Sequence, residues 1–341
     1  MFNVKRSDLR ASIAPIGAVL IAASLLGGLS PLERTAPPPA RFSPGVSVQL
    51  TSAHTTAEPP RTAARVFGFG ISSHSQLALL NSLGGQLGRN ANVVDFFDGW
   101  TSGFPSGDVA QIAATGAEPQ VTWEPWDYRL GINQDTFSLQ AIAHGTFDSY
   151  ITSWAQHAAQ FGQPVMVRFA HEMNGHWYPW GIGVNGNTAA DYVAAWRHVH
   201  DLFVAAGATN VQWVWCPNVG ALSDLAAGYP GSQYVDYVGV DGYNWGDFGW
   251  WTTWSSPRAV FNPTLQFLSN LHLGKPVIID ETGAGSSGGP KPTWITNFVR
   301  YVVANPLVIG FVWSEFPTPF GWGLETSPSA VTAMKVALVG Y

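Results

Sequence analysis

The sequence predicts an α/β chain whose main unit is a (β/α)8 barrel over residues 63–341. Three observations predict it. From Arg65 onward, eight short β-rich runs alternate with longer stretches. The runs are nearly continuous in apolar residues, as in parallel strands buried on both faces. The intervening stretches, such as Ala189–Ala206 and Trp294–Ala304, carry apolar residues at helical period. Helices between parallel strands form βαβ units, and eight such units close a barrel of about 250 residues. An open doubly wound sheet is the structural rival. It usually carries G-x-G-x-x-G after its first strand, whereas this chain reads Gly68-Phe69-Gly70-Ile71-Ser72.

Residues 1–30 read as a targeting segment. Lys5, Arg6 and Arg10 form a basic start, and the apolar stretch Ile13–Leu29 follows. That order belongs to a secretory signal. The stretch is long for a signal core, slightly short of a spanning helix, and lacks a clean A-x-A cleavage site, so an uncleaved membrane anchor is the alternative. Either way the rest of the chain is expected to be secreted or extracytoplasmic. Residues 31–62 hold Pro37-Pro38-Pro39, Pro59-Pro60 and many Thr, Ser and Ala without a hydrophobic period. They read as a semi-rigid linker.

The expected strands are Val66–Ile71, Asn92–Phe97, Gln120–Trp123, Pro164–Ala170, Val211–Trp215, Val235–Val240, Pro276–Ile279 and Ile309–Trp313. Active residues of such barrels sit where strands end at the C-terminal face. The unusual residues of this chain fall there: Glu124 after the third run, His171-Glu172 after the fourth, Asn218 after the fifth, Asp241 and Tyr243 after the sixth, Asp280-Glu281 after the seventh and Ser314-Glu315 after the eighth.

Composition narrows the chemistry. Of 341 residues only 11% are charged, and the formal net charge is -6. No basic stripe suits nucleic acid. The outlier is the aromatic content, with 16 Trp, 10 Tyr and 19 Phe. Large rings fill cores, and they also stack on the flat apolar faces of sugars. The single Cys216 lies in an apolar run and reads as a buried structural thiol. His171 and His176 are five apart and Asn174-Gly175 breaks the helix, which departs from the H-E-x-x-H zinc pattern. No metal or other cofactor is expected. Gly285-Ser286-Ser287-Gly288-Gly289 is a flexible loop rather than a nucleophile elbow.

Two glutamates after opposite strands suit glycoside hydrolysis, which needs two carboxyl groups across one bond. Glu172 is followed by Trp177, Tyr178 and Trp180, a wall able to desolvate it and raise its pKa. It is the expected acid/base. Glu281 is the expected nucleophile, held ionised by Arg168 and hydrogen-bonded by Tyr243. Glutamates reaching inward from the fourth and seventh strands suit the shorter separation of a retaining enzyme. Trp177, Trp180, Trp245 and Trp313 are candidate sugar platforms, and Glu124 a candidate partner for sugar hydroxyls. Asp241 and Tyr243 share one side of the sixth strand's end. A polysaccharide substrate and a monomeric chain are expected, with a membrane tether possible only through the N-terminal segment.

The stretch Arg168-Phe169-Ala170-His171-Glu172-Met173-Asn174-Gly175-His176-Trp177-Tyr178-Pro179-Trp180-Gly181 closely resembles the acid/base motif of glycoside hydrolase family 26. Val277-Ile278-Ile279-Asp280-Glu281-Thr282-Gly283 resembles its nucleophile strand, and Thr122-Trp123-Glu124-Pro125-Trp126 its third-strand motif. The resemblance runs from about Arg65 to the C-terminus. It implies a retaining (β/α)8 enzyme with Glu172 as acid/base and Glu281 as nucleophile. It also implies that Arg168, His171 and Tyr243 orient the nucleophile and the sugar, that Trp177 stands on the leaving-group side, and that Trp313 lies under the cleaved sugar. Members of the family include endo-β-1,4-mannanases and enzymes on mixed-linkage β-1,3-1,4-glucan or β-1,3-xylan. Mannanases often carry Trp-Phe-Trp-Trp after the acid motif. Trp177-Tyr178-Pro179-Trp180 departs from that and makes a β-glucan plausible. A catalytically silent sugar-binding barrel is the rival from another class, and retention of both glutamates argues against it.

Overall fold

The structure is a computed structural model that describes residues 65–71, 76–249 and 252–341. The expected signal or anchor over 1–30 and the linker over 31–62 lie outside the described residues. Eight strands close in sequence order into one parallel barrel: β1 (Val66–Ile71), β2 (Val93–Gly99), β3 (Glu118–Glu124), β4 (Val165–Phe169), β5 (Val211–Trp215), β6 (Tyr237–Asp241), β7 (Val277–Thr282) and β8 (Val308–Ser314). β1 pairs with both β2 and β8, so the sheet has no edge. All eight expected strands are present.

The helical shell, among the described residues, consists of α1 (Leu77–Leu87), α2 (Ser106–Ala114), α3 (Leu139–Ala143), α4 (Asp148–Phe161), α5 (Ala189–Ala205), α6 (Leu222–Ala227), α7 (Pro257–Asn270), α8 (Lys291–Ala304) and α9 (Pro328–Ala337). The helix expected over Ala189–Ala206 is α5. Its start is fixed by a capping box, in which Thr188 accepts from the Asp191 N–H and the Asp191 carboxylate accepts from the Thr188 N–H. The helix expected over Trp294–Ala304 starts a turn earlier, at Lys291.

Strand alternation divides the barrel into an interior and a shell. In the interior, Val66, Val93, Met166, Val214, Cys216, Ile278 and Val312 form a small apolar cluster. Other inward positions are polar: Asp95, Gln120, Thr122, Arg168, Asp241 and Asp280 are all buried. The outward positions pack against the helices, with Phe311 and Trp313 of β8 meeting Phe298 of α8. β7 extends three residues beyond its expected end at Ile279, because Asp280, Glu281 and Thr282 belong to the strand itself. Its pairing shifts register against both β6 and β8 near these residues. Such irregularities re-aim side chains at a barrel mouth.

Candidate active site

Glu172 and Glu281 face one cavity of about 590 Å³ at the C-terminal mouth, together with Trp177, Tyr178, Asn218, Tyr243, Trp245 and Trp322. The two residues are 6% and 7% exposed, so most of their surface is already out of water.

Glu172 owes its place to a strained turn. Ala170 and Glu172, straight after β4, have φ of 43° and 52°, a region that costs about 1–3 kcal/mol for a non-glycine residue and recurs at functional sites. The turn is pinned where the Glu172 N–H donates to the Cys216 carbonyl at 2.6 Å and the Gly175 N–H donates to the Glu172 carbonyl at 2.8 Å. On the side chain, Asn218 Nδ2 donates to Oε1 and Trp177 Nε1 donates to Oε2, both at 2.5 Å. Burial, and then the nearby charge of Glu281, raise the Glu172 pKa to about 7.

Glu281 meets different partners. Arg168 Nη2 donates to Oε1 at 2.5 Å, and the Tyr243 hydroxyl donates to Oε2 at 2.7 Å. Arg168 is wholly buried and ties the interior together. Its Nη1 stands 3.1 Å from both oxygens of Asp241, its Nη2 3.2 Å from Asp95, and its Nε 2.8 Å from Thr122 Oγ1. Burial disfavours its charge, but Asp241, Asp95, Glu281 and Asp280 outweigh that and push its pKa further up. One guanidinium does not balance four carboxyls in a dry interior. Burial accordingly raises Asp95 to about 7, Asp280 to about 6 and Asp241 well above the carboxylate range. A ring nitrogen of His171 and carboxyl oxygens of Asp241 and Glu281 gather within 4.8 Å of one another. The two carboxylates already bracket the Arg168 cation there.

The sequence-derived candidates separate by depth. Trp177, Tyr243 and Trp245 line the cavity with the two glutamates. Arg168, His171, Asp241, Glu124 and Trp180 are buried and are not among the residues that line it. Burial and the Arg168 charge keep His171 neutral, with its ring 4.7 Å from that of Tyr178. Trp180 donates to the His171 carbonyl at 2.6 Å and stacks on Tyr178 at 4.4 Å. Glu124 accepts from Trp126 Nε1 at 3.0 Å, and burial raises its pKa to about 8.

Trp313 is the correction. Its ring is fully buried on the outward face of β8 against Trp294 and Phe298, and its Nε1 donates to the Trp322 carbonyl at 3.1 Å. Strand alternation sends Val312 and Ser314 inward and Trp313 into the shell. The aromatic wall of that quarter of the cavity is Trp322, stacked on Tyr243 with ring centroids 4.0 Å apart. Sequence reasoning missed it, although Gly321-Trp322-Gly323 is an aromatic flanked by glycines in the loop after β8. It also passed over the role of Asn218, the first polar side chain after β5, which satisfies the criterion that found Glu172. Cys216 is buried as expected, with Sγ 3.1 Å from Asp241 Oδ1.

Comparison with known proteins agrees with this geometry. The family model described as Glycosyl hydrolase family 26 matches residues 104–265. The chain is 37% identical over 262 residues to Endoglucanase H of Acetivibrio thermocellus, covering 74% of this chain and 28% of that protein. It is 30% identical over 188 residues to Beta-1,3-xylanase TXYA of a Vibrio species, covering 53% and 37% respectively. It therefore spans well under half the length of these two curated relatives. Among solved structures, the catalytic domain of the Bacillus sp. JAMB-750 GH26 endo-beta-1,4-mannanase superposes with a TM-score of 0.63 at 17% identity, over 81% of this chain and 86% of that one. That likeness concerns the fold. With the matched segment carrying β4, Glu172 and its aromatic wall, the chain belongs to glycosyl hydrolase family 26.

Proposed function

We propose that this barrel is a retaining, endo-acting hydrolase of β-linked polysaccharide that works by double displacement. The observation that carries the reading is the unequal setting of two carboxyls on one cavity. Glu172 is raised to about 7 by burial and by Glu281, and so holds a proton near neutrality. Glu281 is bound by a guanidinium and a phenol, a cation and a hydroxyl donor that hold its two oxygens in place at the cavity.

In the first step the Glu281 carboxylate attacks the anomeric carbon. The bond from that carbon to the glycosidic oxygen breaks, and the oxygen takes the Glu172 proton. A glycosyl ester on Glu281 results, and its charge no longer raises Glu172. In the second step the Glu172 carboxylate takes a proton from water as the water oxygen attacks the anomeric carbon, and Glu281 leaves as carboxylate.

For the substrate, mixed-linkage β-1,3-1,4-glucan comes first and β-1,4-mannan second. The relative at 37% identity is named an endoglucanase, and Tyr178-Pro179 stands where mannanases often carry Phe-Trp. β-1,3-Xylan is the further alternative, since a relative at 30% identity is named for it. Release of reducing ends from the three polymers separates these, and proton NMR of the first product reads the anomeric configuration. An inverted product sinks the nucleophile assignment. If no polymer is cut, and Glu281→Ala binds them as the wild type does, the barrel is a sugar-binding module instead.

The chain acts outside the cytoplasm in this reading, as a cleaved or tethered monomer. Among the described residues no helix is long and apolar enough to cross a membrane, so a tether rests on residues 13–29. N-terminal sequencing of the protein from culture medium and from membranes tests it.

A further inference from the structure

A buried cation grips the loop that follows β8. Lys291, the first residue of α8, is 6% exposed. Its Nζ donates to the carbonyls of Gly321 at 2.7 Å, Trp322 at 2.8 Å and Gly323 at 2.6 Å, with Thr326 Oγ1 a further 3.2 Å contact. From the other side the Glu315 carboxyl accepts the Leu324 N–H, at 2.9 Å and 3.1 Å to its two oxygens. Trp313 Nε1 adds its donation to the Trp322 carbonyl. Three consecutive peptide planes are thus fixed around one residue.

That residue is the cavity wall. Trp322 stacks on Tyr243, and Tyr243 donates to Glu281. The backbone just after β7 makes room for it, since a Cβ on Gly283 would stand 2.8 Å from the Trp322 Cβ. Trp322 Nε1 finds no acceptor among the described residues, although the ring lines the cavity. The placement of Lys291 runs against two general preferences. Burying an ammonium is costly, and a cation is disfavoured at the positive N-terminal end of a helix. The carbonyl cluster and the nearby Glu315 and Glu325 carboxyls offset that cost.

We infer that Lys291 is a positioning residue for the site: through the carbonyls of residues 321–323 it holds the Trp322 ring against Tyr243, and so sets the wall of the cavity beside Glu281. The inference builds on the proposed nucleophile role of Glu281. A double-mutant cycle of Lys291→Met and Trp322→Ala, measured well below the lowest unfolding temperature, tests it. Each single variant is expected to lower kcat/KM on polysaccharide about tenfold, mainly through KM, and the double variant to lose no more than Trp322→Ala alone. Additive losses would mean that Lys291 acts elsewhere and would overturn the inference. If Lys291→Met does not fold, Lys291→Arg keeps the charge but spreads its donors over a planar fork, and is expected to show the same non-additivity with about a threefold loss. A crystal structure of the variant separates this inference from the function: Trp322 still stacked on Tyr243 rejects it even if the enzyme is slow, and Trp322 displaced supports it even if no substrate is found.

Discussion

Arg168 and Glu281 are joined across the barrel interior, with Nη2 2.5 Å from Oε1. The same guanidinium holds Asp95, Asp241 and Thr122 in place, so nucleophile and interior scaffold share one cation. Lysine offers a point charge with three donors and does not reproduce that fork. Arg168→Lys is expected to fold and to lose about a hundredfold or more in kcat, the scale of a lost charge-assisted hydrogen bond in the transition state. Arg168→Met leaves the buried carboxyls without their cation and is expected to destabilise by about 3–5 kcal/mol. Steady-state kinetics and denaturant midpoints read the two effects separately. A Lys variant with wild-type kcat contradicts the assignment.

Glu172 is expected to set the alkaline side of the activity profile. As the acid it must be protonated, and its pKa is raised to about 7. On natural polysaccharide kcat/KM therefore falls about tenfold per pH unit above that value. Two substitutions should move the Glu172 pKa in opposite directions. Glu281→Gln removes the charge that raises Glu172, so its pKa should drop, which carbon NMR titration of the labelled side chain detects in this slow variant. Asn218→Ala removes a hydrogen bond that lowers it, and should shift the limb to higher pH. A Glu172 pKa unmoved in Glu281→Gln would mean that the two carboxyls do not communicate.

The barrel and its two glutamates were legible because their signals are local. Continuous apolar runs mark buried parallel strands, and a polar residue straight after such a run lands at the mouth, as Glu172 does. Depth was not legible. Arg168, Asp241 and Glu124 stand at or next to strand ends, yet they are not among the residues that line the cavity, since which side chains reach it depends on neighbouring strands. Trp313 was misplaced for a simpler reason: at a strand end one step of alternation turns a platform into a shell residue. Trp322 and Lys291 depend on a loop meeting the start of the preceding helix, a contact between residues about 30 apart that no period or motif records.

Stability should also depend on pH, with an unusual sign. Asp95, Glu124, Glu172 and Asp280 are all raised by burial, to about 7, 8, 7 and 6. A carboxyl whose folded pKa lies above its unfolded value binds more protons when folded, so stability falls as pH rises from the unfolded value through the folded one. The unfolding temperature is expected to be highest near pH 4–5 and to decline toward pH 8. Glu124→Gln keeps an acceptor for Trp126 and removes one titration, which should flatten the upper part of the decline. Calorimetry across that window decides it. An unfolding temperature that rises from pH 5 to 8 would show these carboxyls to be ionised in the fold.

The division of labour between the glutamates predicts how each loss depends on the leaving group. Protonation by Glu172 matters when the departing oxygen is a poor leaving group, as in a polysaccharide, and little when it is an activated phenolate. Glu172→Ala should therefore lose at least about a hundredfold on polysaccharide but far less on a dinitrophenyl glycoside, on which the glycosyl ester forms without acid help and then accumulates. Since Glu172 is also the base for hydrolysis of that ester, a burst of phenolate followed by a slow steady rate is expected, and azide should speed the slow phase by replacing water as the nucleophile. Glu281→Ala lacks the nucleophile and should fail on both substrates. Two variants that lose activity equally on both substrates, with no burst in Glu172→Ala, would mean that Glu172 shapes the cavity rather than moving the proton.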